Sequence, residues 1–167
     1  VLTKRLANIA QFAKAGDHEK ACSFALEVVR EHPSDVRAQL AAAYASDRLG
    51  HEATAILHYR IASTLGIPND EKAKYFLGFA STLRNAGNTE EAINYLTEAR
   101  REFPDRAEFL AFLALAYHSS GQNSLALATM LKAGLTAARQ DGFGVYDRAL
   151  SEYHDELLAS TNSFKNV

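Results

Sequence analysis

The sequence predicts an all-α protein, a stack of about four helix pairs closed by one further C-terminal helix. Three observations carry this. Glycines stand at 16, 50, 87 and 121, at spacings of 34, 37 and 34 residues. Five residues after each comes an alanine (Ala21, Ala55, Ala92, Ala126), and seven further on come Val28, Ala62, Ala99 and Ala133. Prolines follow the first three glycines by 17 or 18 residues, at Pro33, Pro68 and Pro104. Small residues and breakers held in phase are the mark of an internal repeat. Abundant alanine and the absence of β-branched runs make its elements helical.

The physics of one unit follows. Each glycine ends a helix, because the residue past the last turn is often left-handed and glycine reaches that conformation without a Cβ penalty. The alanine five residues on sits where the returning helix comes closest to its partner. Each proline stops the second helix by removing an amide and restricting the residue before it. Predicted helices therefore span 2–15 with 18–31, 34–49 with 52–65, 70–86 with 89–102, and 105–120 with 123–139. Capping residues mark several starts: Asp17, Ser34, Asn69 or Asp70, Asn88 or Thr89, and Asp105. The extra residues between Gly50 and Gly87 fall in 65–69, where a small change of superhelical twist is expected. A ninth helix, 145–160, places Tyr146, Ala149, Leu150, Tyr153 and Leu157 on one face. A stack of helix pairs ends on an open apolar face, so this helix is read as its cap. The whole is one domain, 1–160, with repeats at about 2–33, 34–68, 69–104 and 105–139, and a frayed tail at 161–167.

A helix–turn–helix unit of 34 residues with this pattern resembles the tetratricopeptide repeat. The fourth unit fits best, running from Leu110 through Ala114, Tyr117, Gly121 and Ala126 to Ala133. The early tryptophan of the family is replaced in all four units, by Arg5, Gln39, Phe76 and Leu110. The resemblance covers roughly residues 3–138 and is to small bacterial proteins of this family. It implies a right-handed superhelix (α-solenoid) that binds proteins or peptides in a concave groove lined by the first helix of each pair. Carried onto this chain, the groove takes an apolar stripe of Leu6, Leu40, Tyr44, Leu77 and Leu115. Lys14, Arg37, Arg48, Lys74 and Arg84 border it, with His118 at the far end. Asp47 and Glu108 partly offset these bases. Such a groove suits a peptide or helix of acidic character. The Lys and Asn with which chaperone-tail domains of the family hold a carboxylate are absent, since those positions read Leu6 and Ala10, Leu40 and Tyr44, and Leu77 and Ser81.

Other classes find little support. The net charge is −2 and the pI about 6.3, and no continuous basic face suits nucleic acid. No apolar run approaches the ~20 residues of a membrane span, and no signal peptide is visible, although the chain does not begin with Met. A single cysteine, Cys22, excludes an internal disulfide and fits a reducing compartment, so the expected location is cytoplasmic. His18 and Cys22 share a helix face, but nothing completes a metal site, and His51 and His58 read as ordinary. No phosphate loop or catalytic motif occurs. The chain is therefore expected to be non-catalytic, without cofactor or metal. The alternative to groove binding is self-association, through the Tyr146, Leu150, Tyr153 and Leu157 face or the uncovered start of the stack at Leu2, Leu6 and Ile9.

Overall fold

A computed structural model describes residues 1–139 and 142–163, with side chains described up to 156. Among the described residues every regular element is helical: α1 Leu2–Lys14, α2 His18–Glu31, α3 Val36–Arg48, α4 Glu52–Leu65, α5 Lys72–Asn85, α6 Thr89–Glu102, α7 Ala107–Ser119, α8 Asn123–Ala137 and α9 Asp147–Ser163. A 3₁₀ turn, Gly144–Tyr146, leads into α9.

The four in-phase glycines share one hydrogen-bonded stop. Gly16, Gly50, Gly87 and Gly121 all have φ between +68° and +83°. At each, the following amide reaches back across the last turn, from Asp17 to the Phe12 carbonyl, His51 to Ser46, Asn88 to Leu83 and Gln122 to Tyr117. This is the Schellman closure, which satisfies carbonyls the helix end would otherwise orphan. It fixes where the return helix begins, and the second helices start where the sequence predicts, at residues 18, 52, 89 and 123.

The later first helices begin two residues beyond their predicted starts. After each proline the chain makes a tight turn, with Asp35 donating its amide to the His32 carbonyl, Glu71 to Pro68 and Arg106 to Phe103. The cap shifts accordingly. Asp35, not Ser34, accepts the Ala38 amide at 2.9 Å. The predicted caps at Asn69 or Asp70 and at Asp105 are displaced, since the N-cap residues are Glu71 and Arg106, neither of which makes a side-chain capping bond. Asp17 does cap α2, accepting from Lys20 at 3.1 Å. α8 ends at Ala137, two residues early. The predicted tail of 161–167 falls partly in α9, and 164–167 lie outside the described residues.

The chain forms two compact units, Val1–Leu96 and Thr97–Val167. In the first, α2 packs between α1 and α3, α4 joins α3 to α5, and the first helices α1, α3 and α5 are neighbours in sequence order. One core cluster unites Ile9, Ala21, Ala25, Val28, Val29, Ala38 and Ala42, with Leu6, Phe12, Phe24 and Leu26 around it. Further along, Tyr59 stacks on Phe79 at 5.0 Å, and Tyr44, Tyr75 and Tyr95 extend the aromatic layer. Alanine at the repeated positions lets the helices approach, and the rings fill what the small residues leave.

Two polar groups are built into this unit. Gln39, in place of the family tryptophan, donates to the Pro33 carbonyl at 2.7 Å and holds His58 Nδ1 at 2.7 Å through its Oε1. Burial lowers the His58 pKa, so the neutral ring donates from Nδ1 to that oxygen. Asp47 accepts the Thr82 hydroxyl at 2.6 Å, yet burial pushes its carboxyl above the usual range.

In the second unit α7 packs along α8. Leu110, Ala111 and Ala133 form its core cluster, flanked by Met130, Phe143 and Leu150. Phe112 meets Tyr146 and Tyr153 edge-on at 5.8 and 6.1 Å.

Candidate functional site

A cleft of about 380 Å³ runs along α1, α3 and α5 in the first unit. Its positions follow from helical periodicity. Leu6, Ala10 and Ala13 recur on one side of α1, as do Arg37, Leu40, Tyr44 and Arg48 on α3, at spacings of three and four. Ala41 and Ala45 leave room beside Leu40, and Lys74 stands on α5. The floor is apolar and the rim charged.

The rim charges are not equivalent. Arg37 is already engaged, bonded to both Asp70 oxygens at 3.1 and 2.8 Å and lying 3.5 Å from Glu71. Its guanidinium holds the Asp70 carboxyl below the usual carboxylate range. Glu71 also accepts the Tyr44 hydroxyl at 3.2 Å. Lys74 sits over the Tyr44 ring at 3.8 Å, and burial lowers the pKa of its amine. Among the described residues neither Lys74 nor Arg48 has a carboxylate within ion-pair distance. These two are the rim cations without an ion-pair partner among the described residues.

Six of the eleven residues assigned to the groove line this cleft: Leu6, Arg37, Leu40, Tyr44, Arg48 and Lys74. Lys14 is exposed at the end of α1, outside the lining, and Arg84 is half-buried with its guanidinium bonded to Asn85 at 2.8 Å. Leu77 and Leu115 are buried in their units and present almost no surface. His118 is exposed in the second unit and paired with Asn123 at 3.1 Å. The two offsetting acids are also placed otherwise, Asp47 half-buried against Thr82 and Glu108 buried in an ion pair with Arg106. Of the other face, Tyr146 and Tyr153 pack on Phe112 and Leu150 on the α7–α8 core. The Leu157 side chain lies outside the described residues.

Two polar lining residues escaped the sequence reading. Glu71 falls inside the helix predicted at 70–86 but was not counted in the groove, although its place one turn before Lys74 was a usable signal; in the structure it precedes α5. His18 belongs to α2 and enters the cleft at the α1–α2 turn. It does not act with Cys22, which is buried with its Sγ 3.6 Å from the Ser46 hydroxyl. Among the described residues no group of three or more His, Cys, Asp or Glu side chains could hold a metal ion, and no helix is long and apolar enough to cross a membrane.

Paired antiparallel helices in phase, each stopped by a left-handed glycine, with a cleft along the first helices, define a helical-repeat protein. The family model for the tetratrico peptide repeat matches residues 36–157, and the chain belongs to that family. Solved structures share the fold at low identity. "MamA MSR-1 C2" has a TM-score of 0.73 at 16% identity over 83% of this chain and 78% of that one. "MamA 41-end from Desulfovibrio magneticus RS-1" has a TM-score of 0.68 at 16% identity, over 97% of this chain and 96% of that one. Comparison with curated proteins finds no match.

Proposed function

We propose that this protein is a non-catalytic interaction module that holds an apolar peptide or helix in the α1–α3–α5 cleft. One observation carries the reading: an apolar floor on which Leu6, Ala10 and Ala13 keep open surface lies beside two cations, Arg48 and Lys74, with no described carboxylate within ion-pair distance. The floor supplies affinity through apolar burial, and the cations orient an acidic group of the partner. Arg37 contributes little to an incoming ligand, because Asp70 and Glu71 already occupy it. Membership in a family of helical repeats supports an interaction role over a catalytic one.

The test uses an arrayed set of amphipathic helical peptides, each made in an acidic and a neutral version. Binders should come from the acidic versions. Arg48→Glu with Lys74→Glu should weaken them at least about tenfold, roughly 1.4 kcal/mol, without lowering Tm. Binding that survives this double reversal, and also survives filling the cleft by Ala45→Phe, would remove the site from the cleft.

A further inference from the structure

The outward face of α8 carries an apolar stripe that stands exposed among the described residues of the second unit. Leu127, Leu131 and Leu135 follow at four-residue spacing and are 64%, 62% and 68% exposed. That spacing puts them in a row on one face. α8 turns another face to α7, burying Ala126, Ala133 and Ala137, with Met130 beside them.

The corresponding positions in the first unit are occupied. Six residues past the repeat glycine, Cys22 is 4% exposed against Ser46 of α3, and Ile56 is half-buried. Ten past it, Leu26 packs on the first core cluster, and Arg60 reaches Glu91 at 2.8 Å and the Phe79 ring at 5.8 Å. On α8 the same two positions are leucines facing solvent.

The symmetry of the stripe says what covers it. Counting outward from Leu131 along the stripe, three pairs of exposed residues match in both directions, whereas Leu125 and Lys132 lie off it. Leu127 and Leu135 stand four away, Ala128 and Gly134 three away, and Ser124 and Ala138 seven away. Laid antiparallel on a copy about an axis at Leu131, each Leu127 meets the partner's Leu135, each Ala128 the partner's Gly134, and each Ser124 the partner's Ala138. Leucine faces leucine, and small faces small, so the backbones can approach while the leucines fill the space between. A two-fold interface requires this self-complementarity. Charge does not oppose it, since α8 has no acid and one charged residue, Lys132. We infer that α8 is the interface of a two-fold homodimer of this chain, with Leu131 on the axis. The surface is separate from the cleft, so either assignment can fail alone.

Sedimentation of the full chain from about 1 to 100 μM tests it. One helix pair buries less than the ~1,600 Å² of a standard interface, so a dimer of micromolar or weaker affinity is expected. Leu131→Asp places two like charges on the axis and should weaken dimerisation at least tenfold. Helix content and Tm should not change, because Leu131 is exposed. Leu131→Cys should form a disulfide-linked dimer under mild oxidation, faster than Ala53→Cys on the exposed side of α4. A wild-type chain monomeric throughout the range overturns the inference, even if it captures a helical peptide on α8. So does a dimer that tolerates Leu131→Asp, or a Leu131→Cys variant that cross-links no faster than Ala53→Cys.

Discussion

Gly78 has no room for a side chain. A Cβ there would lie 2.5 Å from the Tyr59 hydroxyl, in the middle of the aromatic layer that joins α4 to α5. Gly78→Ala should destabilise by about 1–3 kcal/mol, the cost of overpacking exceeding the ~1 kcal/mol that alanine gains in a helix. At Gly87 a Cβ meets nothing within 4 Å, and only the φ of +83° resists substitution. Gly87→Ala should cost about 1–2 kcal/mol through backbone strain. Urea midpoints measure both, and a neutral Gly78→Ala would show that Tyr59 moves aside freely. His58 carries a pH dependence of known sign. Burial lowers its folded pKa below the ordinary 6.5, so the unfolded chain binds the proton more readily. The neutral ring's contribution is complete above pH 6.5 and is lost as pH falls through the folded pKa. Urea stability between pH 7.5 and 5.5 should fall more for the wild type than for His58→Asn. Equal slopes would assign the dependence to other groups. Asp47, whose folded pKa is raised, acts with the opposite sign at the acid end.

The elements were legible to different degrees, for a local reason. Second-helix starts were read correctly because glycine and the two following residues fix the stop and restart by backbone hydrogen bonds. The start of α1 was read correctly, and the later first-helix starts were misplaced because a turn after each proline consumes two residues that helical periodicity alone does not exclude. Hence Asp35→Ala should cost about 1 kcal/mol, as loss of a cap does, whereas Ser34→Ala should be nearly neutral. A reversed order in the two Tm shifts would restore Ser34 as the cap. The groove residues divide in the same way. Leu6, Arg37, Leu40, Tyr44, Arg48 and Lys74 came into the cleft by helical spacing. Leu6, Leu40 and Leu77 share one repeat position, yet Leu6 is half-buried while Leu40 and Leu77 are each 1% exposed, and only the first two border the cleft, because burial depends on which neighbours fill the space rather than on register.

At the scale of the whole molecule, a net charge of −2 supplies no long-range pull. The proposed recognition in the cleft would therefore rest on short-range contacts at Arg48 and Lys74. Both are exposed rim charges, so the double charge reversal should act mainly on association rate and should flatten the salt dependence of peptide affinity. A loss confined to dissociation rate would point instead to desolvated contacts at the cations. The basic border expected from the sequence is half spent, since Arg37 is closed off by Asp70 and Glu71 and Arg84 leans on Asn85.

The sequence by itself determined the repeat, its phase, its helix pairs and its family, because backbone stops and small-residue spacing act through neighbours in the chain. Tertiary structure alone decided which cations are free, which leucines are buried, and which face of α8 is bare. Charge pairing and burial depend on side chains that meet across helices from distant parts of the sequence, and register does not record those meetings.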